Sequence, residues 1–382
     1  MSGERVVTDD LARLAQTSIG GELAVDTDPH VEVATVDSIR AFARLTGDDN
    51  PLYCDEAYGR SSCLGSVVAP PLFPIATGTP TTRAGGDADE LIHHLRALPA
   101  EVQLETWNFF HHVRPGTRLL RTDVLQAADR DSVTTLKVVL QSRYSANGVV
   151  YATRERTLCY GTTQQRSSAD RRQRHRYRAE ELEAIDAAYA NEFRRGAHDV
   201  SADELTVGDE LPVVVKGPLT ITDLVALRAG VGGGPFGVEP LRLGFLNRQR
   251  RPQFYDRDES GAFDARERLH WDEGYARACG HLSAYDYTHT RLIWASQVLT
   301  NWIGDRGFVE RLSFRVRAFN YVGDTHWMHA RINQVSATAN VASVELELWG
   351  INQLGTVTCD GAATVSVPVA DNGASPSGVD HS

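Results

Sequence analysis

The chain has 382 residues, 23% of them charged, with 50 Asp and Glu against 39 Lys and Arg for a formal net charge of −11. That acidic surplus argues against sequence-independent nucleic-acid binding, which needs positive charge to displace counterions from phosphates. Hydrophobic residues make up 42% but never run for the roughly 18 positions a membrane-crossing helix requires, so the sequence reads as soluble and globular, long enough for two or three cores.

The opening MSGERVVTDDLARLAQ places acids where an export signal carries a basic start and an apolar run. Cys54, Cys63, Cys159, Cys279 and Cys359 are odd in number and lack the CxxC spacing of a zinc site. Both features predict a reduced, cytoplasmic setting. In chain order, FARLTGDDNPLYCDEAYG predicts one helix, followed by the alternating, β-branched segments TRLLRTDVLQA, SVTTLKVVLQSRYS and VVYATRERTLCYG. These read as antiparallel strands, with Asn147-Gly148 marking a hairpin. The polar, arginine-rich TTQQRSSADRRQRHRYR predicts a linker. Beyond it, Leu182, Ile185, Tyr189 and Phe193 share one helical face in AEELEAIDAAYANEFRRG, a short docking helix closed by Gly196.

The pattern then recurs. DVSADELTVGDELPVVVKGPLTITDLVALRAG predicts a strand and a helix, and LHWDEGYARACGHLSAYDYTHTRLIWASQVLTNWIGD a longer helical stretch. Four strands follow, in VERLSFRVRAFNY, THWMHARINQV, VASVELELWGINQ and TVTCDGAATVSVPV. FHHVRPGTRLLRTDVLQ and FNYVGDTHWMHARINQV share one layout, an aromatic-led strand, a Gly turn and a second strand, which points to a duplicated unit too long for a solenoid repeat. The predicted organisation is an α+β protein of two domains, residues 1–162 and 198–368, joined by a linker with a short helix at 163–197. The two halves are expected to associate through their sheets, and a small-residue tail at 369–382 is expected to be disordered.

Two stretches carry chemistry. Thr46-Gly47-Asp48-Asp49-Asn50-Pro51-Leu52-Tyr53-Cys54-Asp55, followed by Gly65-Ser66-Val67-Val68-Ala69-Pro70-Pro71, specifies a tight polar turn in which Asp or Asn can cap backbone N–H groups. The second is His270-Trp271-Asp272-x-x-Tyr275-Ala276-Arg277-x-x-Gly280. Both resemble the hydratase motif of the MaoC-like family of (R)-specific enoyl-CoA hydratases and dehydratases, TGDxNPxHxD running into GxxAPP. The first half is similar to the dehydratase domains related to fatty-acid synthase. The second is similar to MaoC-type hydratases, including those acting on mesaconyl-type thioesters.

The resemblance implies a double hotdog, each half an antiparallel sheet wrapped around a long central helix, with sites at the interface of the halves. It also implies an Asp and a His five residues later holding one water. Hydrating an enoyl thioester needs a base for that water and an acid for the α-carbon, and a histidine can do both near neutral pH. Backbone N–H groups at a helix N-terminus would stabilise the enolate. This sequence departs from the pattern in both halves: Tyr53 stands where His is expected, and Ala265 stands five residues before His270, with Asp264 the nearest upstream carboxylate. Mesaconyl-hydratase-like members also lack the simple Asp spacing.

The expected catalytic group is therefore His270, with Asp264 or Asp272 orienting it or sharing the water, and Asp48 as the first half's remaining acid. Asn50, Tyr53, Tyr285, Asp286 and Tyr287 are expected to line the substrate pocket. The competing structural readings are a half-exposed histidine at a helix start for His270, a helix-dipole carboxylate for Asp272, and the start of a buried central helix for Tyr285 to Tyr287. The implied activity is a hydro-lyase on an enoyl or 3-hydroxyacyl thioester. The substrate itself would bring CoA or phosphopantetheine, and no other cofactor or metal is called for.

An acyl carrier protein and a second copy of the chain are the candidate partners. Two alternatives stay open: an altered-dyad enzyme for elimination or cyclisation in polyketide-type biosynthesis, and a non-catalytic acyl-binding hotdog. Among weaker signals, AGVGGGPFG lacks both GxGxxG and GK[ST] context, His111 and His112 point to opposite faces as neighbours in a strand and make poor joint metal ligands, and no GxSxG elbow occurs.

Overall fold

The computed structural model describes residues 7–23, 29–81, 87–96, 98, 100–132, 134–161, 174–200, 204–232, 239–338 and 340–368. The predicted tail, most of the arginine-rich linker and part of the glycine-rich stretch after Gly232 lie outside the described residues. The first half runs α1 (Asp9–Thr17), β1 (Glu22–Leu23), α2 (Val36–Leu45), α3 (Pro51–Cys54), α4 (Glu56–Ser61), β2 (Thr79–Pro80), α5 (Asp87–Arg96), then β3 (Ala100–Phe109), β4 (Leu120–Arg130), β5 (Thr135–Ala146) and β6 (Val149–Gly161). After α6 (Ala179–Ala190) come β7 (Val214–Lys216), α7 (Ile221–Val231), α8 (Leu241–Arg250), β8 (Tyr255–Arg257) and β9 (Phe263–Ala265). The chain ends with α9 (Glu273–Ala278), α10 (Thr288–Ile303), β10 (Phe308–Val316), β11 (His326–Ala337), β12 (Val341–Asn352) and β13 (Val357–Pro368).

The single helix expected across 42–59 is three helices, because polar turn residues restart the backbone twice. Gly47, at φ 75°, supplies the left-handed step after α2. Asn50 then caps α3 with Pro51 at its first position, and the Asp55 carboxylate caps α4 by accepting from Ala57 and Tyr58. The long helical stretch expected over 269–305 is likewise broken: a 3-10 turn at Arg266–His270, α9, a non-helical passage, then α10. Tyr285 and Asp286 precede α10 and Tyr287 is its N-cap residue. On α6, only Ile185 of the expected stripe is buried; Leu182, Tyr189 and Phe193 stay exposed, and the helix ends at Ala190 well before Gly196. Likewise, the strand expected at FHHV stops at Phe109.

Eleven strands form one sheet in the order β1-β4-β5-β6-β3-β10-β13-β12-β11-β7, with β2 beside β4, and β8 and β9 pair separately. Asn147-Gly148 turns β5 into β6 with both residues at positive φ, as a type I′ hairpin requires. The halves join where β3 pairs antiparallel with β10, from Arg311 opposite Asn108 to Phe314 opposite Glu105. At this seam Trp107, Leu312 and Phe314 are buried. Glu105 is buried too, and takes two hydrogen bonds of 2.9 Å from Arg154 and one of 2.7 Å from the Trp107 indole. Burial works to raise the Glu105 carboxyl, and Arg154 overrides it, holding the group below the ordinary carboxylate range.

The second half wraps its sheet around α10, in which every residue from Thr290 to Ile303 is buried. Among its described residues the first half has no matching helix. Pro70, Pro71 and Pro74 withhold backbone donors where a helix would form, leaving a 3-10 turn at Phe73–Ala76. Helix α5 instead packs Leu91 and Leu95 with Leu11 and Ala15 of α1 against Leu125, Leu136 and Val138, a smaller separate core.

The halves still obey one plan. α2 and α7 open with matching capping boxes at Thr35 and Thr220 and pack together. Asp55 and Asp272 both cap the short helix that follows the motif. The Ala69 N–H bonds the Val113 carbonyl at 2.9 Å, and the Val322 N–H bonds the Ala284 carbonyl at 2.8 Å, so the same pair of segments meets in each half. The β8–β9 hairpin and α8 belong to an insertion between α7 and the His270 turn, a region that in the first half is a few residues long.

Candidate active site

These correspondences align the two motifs. Since Asp55 matches Asp272, Tyr53 occupies the place of His270. Gly233 stands as far beyond Thr220 as Asp48 stands beyond Thr35. Gly233 lies outside the described residues. By this alignment the first half carries Asp48 and Tyr53 at the motif positions where the second carries Gly233 and His270.

His270 ends its 3-10 turn half-buried, with Nδ1 2.7 Å from the carbonyl oxygen of Tyr285. A carbonyl only accepts, so Nδ1 carries the proton and Nε2 is left as the basic nitrogen. The ring stacks on Tyr287 at 3.9 Å and meets Tyr285 edge-on at 4.8 Å. Around them His281, Phe319 and Tyr321 extend an aromatic wall. Burial lowers the His270 pKa to about 4, although the Tyr285 carbonyl favours the charged form, so the ring is neutral at pH 7.

The carboxylates expected beside it are engaged elsewhere. Asp264 is exposed and accepts from the Ala265 N–H; Asp272 accepts from the Tyr275 N–H as the cap of α9. Both carboxylates approach Arg268, each at 3.9 Å, from four residues to either side. Asp286 is fully buried, bound by Arg291 at 2.9 Å and by the Asn320 amide at 2.9 Å, and Arg291 in turn donates to the carbonyls of Ala318 and Thr358. Among the described residues no carboxylate lies within ion-pair distance of His270. An acid in this environment is Glu267, held by Arg228 at 2.7 Å and set beside the Tyr287 phenol, whose pKa is raised by burial and by that carboxylate.

Helix α10 begins here without a side-chain cap at Tyr287. The Thr290 N–H bonds the Tyr287 carbonyl at 2.9 Å, so by helix geometry the amides of Thr288 and His289 are the first-turn donors without an intrahelical partner, at the positive end of the helix dipole. His289, on that first turn, stacks against Tyr287 at 5.1 Å. Its Nε2 is buried without a hydrogen bond, and burial lowers its pKa to about 3. The sequence pattern offered no signal for it beyond its position near a helix start.

In the first half Asp48 is buried and accepts the Asn50 N–H at 3.0 Å. Burial raises its pKa to about 6, against the pull of Lys216 and Arg194. Asn50 spends its side-chain oxygen on capping α3. Tyr53 is buried, and burial followed by the Asp48 charge raises its phenol, which stays protonated.

Asn50 and Tyr53 also line a narrow cleft that opens to solvent at its mouth, walled by Leu52, Val68, Phe109, Tyr151 and the Thr300–Ile303 end of α10. An outer cleft adjoins it, sharing His111, His112, Tyr151 and Phe308 and adding Phe110 and Arg114. Neither cleft touches His270, Tyr285 or Tyr287. His111 and His112, read from sequence as strand neighbours without a role, follow the end of β3 and meet at this mouth.

Residues 22–154 match the family described as FAS1-like, dehydratase domain region. No curated protein sequence matches the chain. Among solved structures, a MaoC-like dehydratase is similar over 93% of this chain and 100% of its own, with a TM-score of 0.60 at 16% identity. A putative MaoC domain dehydratase from Chloroflexus aurantiacus covers 92% and 96% with a TM-score of 0.58 at 14% identity. A MaoC-like dehydratase from Phytophthora capsici covers 93% and 98% with a TM-score of 0.50 at 11% identity. The chain is thus an α+β double hotdog. More particularly, it has the fold of the MaoC-like dehydratases over nearly its whole length. Among the described residues, no helix is long and apolar enough to cross a membrane.

Proposed function

We propose that this protein is a hydro-lyase that adds water to, or removes it from, an enoyl or 3-hydroxyacyl thioester, with His270 as the principal acid/base. The observation that carries the reading is the Nδ1 contact to the Tyr285 carbonyl, which leaves Nε2 as the base beside the uncapped start of α10. In the hydration direction, Nε2 takes a proton from water as the water oxygen bonds to the β-carbon. The α10 amides hold the enolate oxygen of the thioester, and the imidazolium returns the proton to the α-carbon. Dehydration runs the same path backwards. CoA or phosphopantetheine would arrive as part of the substrate.

The test is a panel of enoyl-CoA and enoyl-phosphopantetheine thioesters assayed with wild type and His270→Gln. Turnover by wild type that falls at least 100-fold in the variant supports the reading; a variant with full turnover overturns the assignment. The missing carboxylate beside His270 favours one second reading, a non-catalytic hotdog that holds acyl thioesters. Acyl-CoA binding with no turnover on any panel member would select it.

A further inference from the structure

The aligned halves show an exchange of side chains. In the second half the motif supplies an imidazole, His270, and the segment after the first strand of the seam supplies a phenol, Tyr321, packed through Tyr285 onto the same aromatic wall. The equivalent segment of the first half is fixed by the Ala69–Val113 hydrogen bond, as Ala284–Val322 fixes its counterpart. The residue just before Val322 is Tyr321; the residue just before Val113 is His112. At the first motif, then, the phenol comes from the motif as Tyr53 and the imidazole from the strand end as His112, and both line one cleft.

We propose that this cleft is a second acyl-thioester site, in which His112 supplies the imidazole that the first motif lacks. The inference rests on the hydro-lyase reading and extends it to a second place in the molecule. The slot suits such a ligand: Leu52, Val68, Phe109 and Ile303 offer an apolar lining for an acyl chain, and Arg114 and His111 stand at the polar mouth. His112 packs edge-on against Phe308 at 4.9 Å, which fixes its ring at the junction of slot and mouth. Burial lowers its pKa to about 4, so it is neutral and able to accept a proton at pH 7. With an enoyl thioester in the slot, the water oxygen bonds to the β-carbon while its proton passes to the neutral imidazole nitrogen. The imidazolium then returns that proton to the α-carbon, so one water adds across the double bond and the thioester is unchanged.

The experiment is a calorimetric titration of the full chain with hexanoyl-CoA, a saturated thioester that cannot react, on wild type, His112→Trp and His270→Trp. Two equivalents are expected in wild type and one in each variant, with each retained folded state checked by thermal unfolding. His112→Gln, which keeps the slot open, should hold two equivalents and lose only the turnover that survives in a His270→Gln background. One equivalent in wild type that vanishes in His270→Trp and persists in His112→Trp overturns the second site and leaves the hydro-lyase reading intact. No binding by wild type overturns both.

Discussion

The two halves repeat one plan but keep opposite parts of it. The first holds a buried acid, Asp48, near a cleft and has no long central helix among its described residues; the second has the long helix and an imidazole with a fixed tautomer, and encloses that imidazole in aromatic rings. The difference teaches that a duplicated fold can divide its chemistry. Proline-rich sequence stands where a central helix would run in one half, while α10 in the other presents a helix dipole that would favour the enolate of the proposed reaction.

The sharpest way to break this comparison is activity. His270→Ala should lower kcat on a responsive enoyl thioester on the order of 100- to 10,000-fold, the usual worth of a positioned acid/base, while Asp48→Ala costs less than about tenfold. The reverse ranking would move the principal site to the first half. The pH profile separates the same pair. Each group would act as a base in its deprotonated form, so kcat/KM is lost as pH falls through its pKa. An acid limb near 4 fits His270, and a limb near 6 points to Asp48.

Next in size is the seam. Glu105→Gln leaves the buried Arg154 without its anion and should destabilise the fold by about 3–5 kcal/mol, read as a lower denaturant midpoint. A loss below about 1 kcal/mol would mean that the β3–β10 junction does not depend on this ion pair.

Stability against pH should then distinguish the acid from the imidazole. The Asp48 pKa is raised in the fold to about 6, so its ionisation destabilises the protein, and the stability it contributes is present at low pH and lost as pH rises through 6. The His270 pKa is depressed to about 4, so its contribution is present above the ordinary histidine value and lost as pH falls toward 4. Asp48→Asn is accordingly expected to stabilise at pH 8 by about 1–3 kcal/mol and to gain nothing at pH 4. An equal gain at both would show that Asp48 ionises without cost. The smallest effect is Asp272→Ala, about 1 kcal/mol for loss of the α9 cap, with kcat changed less than threefold. A tenfold fall in kcat would restore this carboxylate to a role at His270.

Much of this was legible in the sequence where local chemistry decides. Asn147-Gly148, the strand runs from Thr135 to Gly161, and the double hotdog implied by the two motifs are all in place. The helices were legible in position but not in continuity, because Asn50, Asp55 and Asp272 act as caps and stop what hydrophobic spacing alone would extend. Asp264 and Asp272 both approach Arg268, which stands four residues from each in the sequence, across the 3-10 turn that separates the strand of one from the helix cap of the other. His112 could not be read as a counterpart of His270, since its nearness to Tyr53 arises from a strand end meeting a motif some sixty residues earlier in the chain.

The sheet that unites the halves also ends deliberately. At one side β4 is flanked, among the described residues, only by the two-residue strands β1 and β2; at the other, β11 is covered by three-residue β7 and by the Glu210–Arg331 bridge. Short, charged borders of this kind give an incoming strand little to zip onto. If copies of the chain assemble, they must therefore meet through helices, loops or sheet faces rather than by lengthening the ribbon, and a partner designed as an added strand would find no berth.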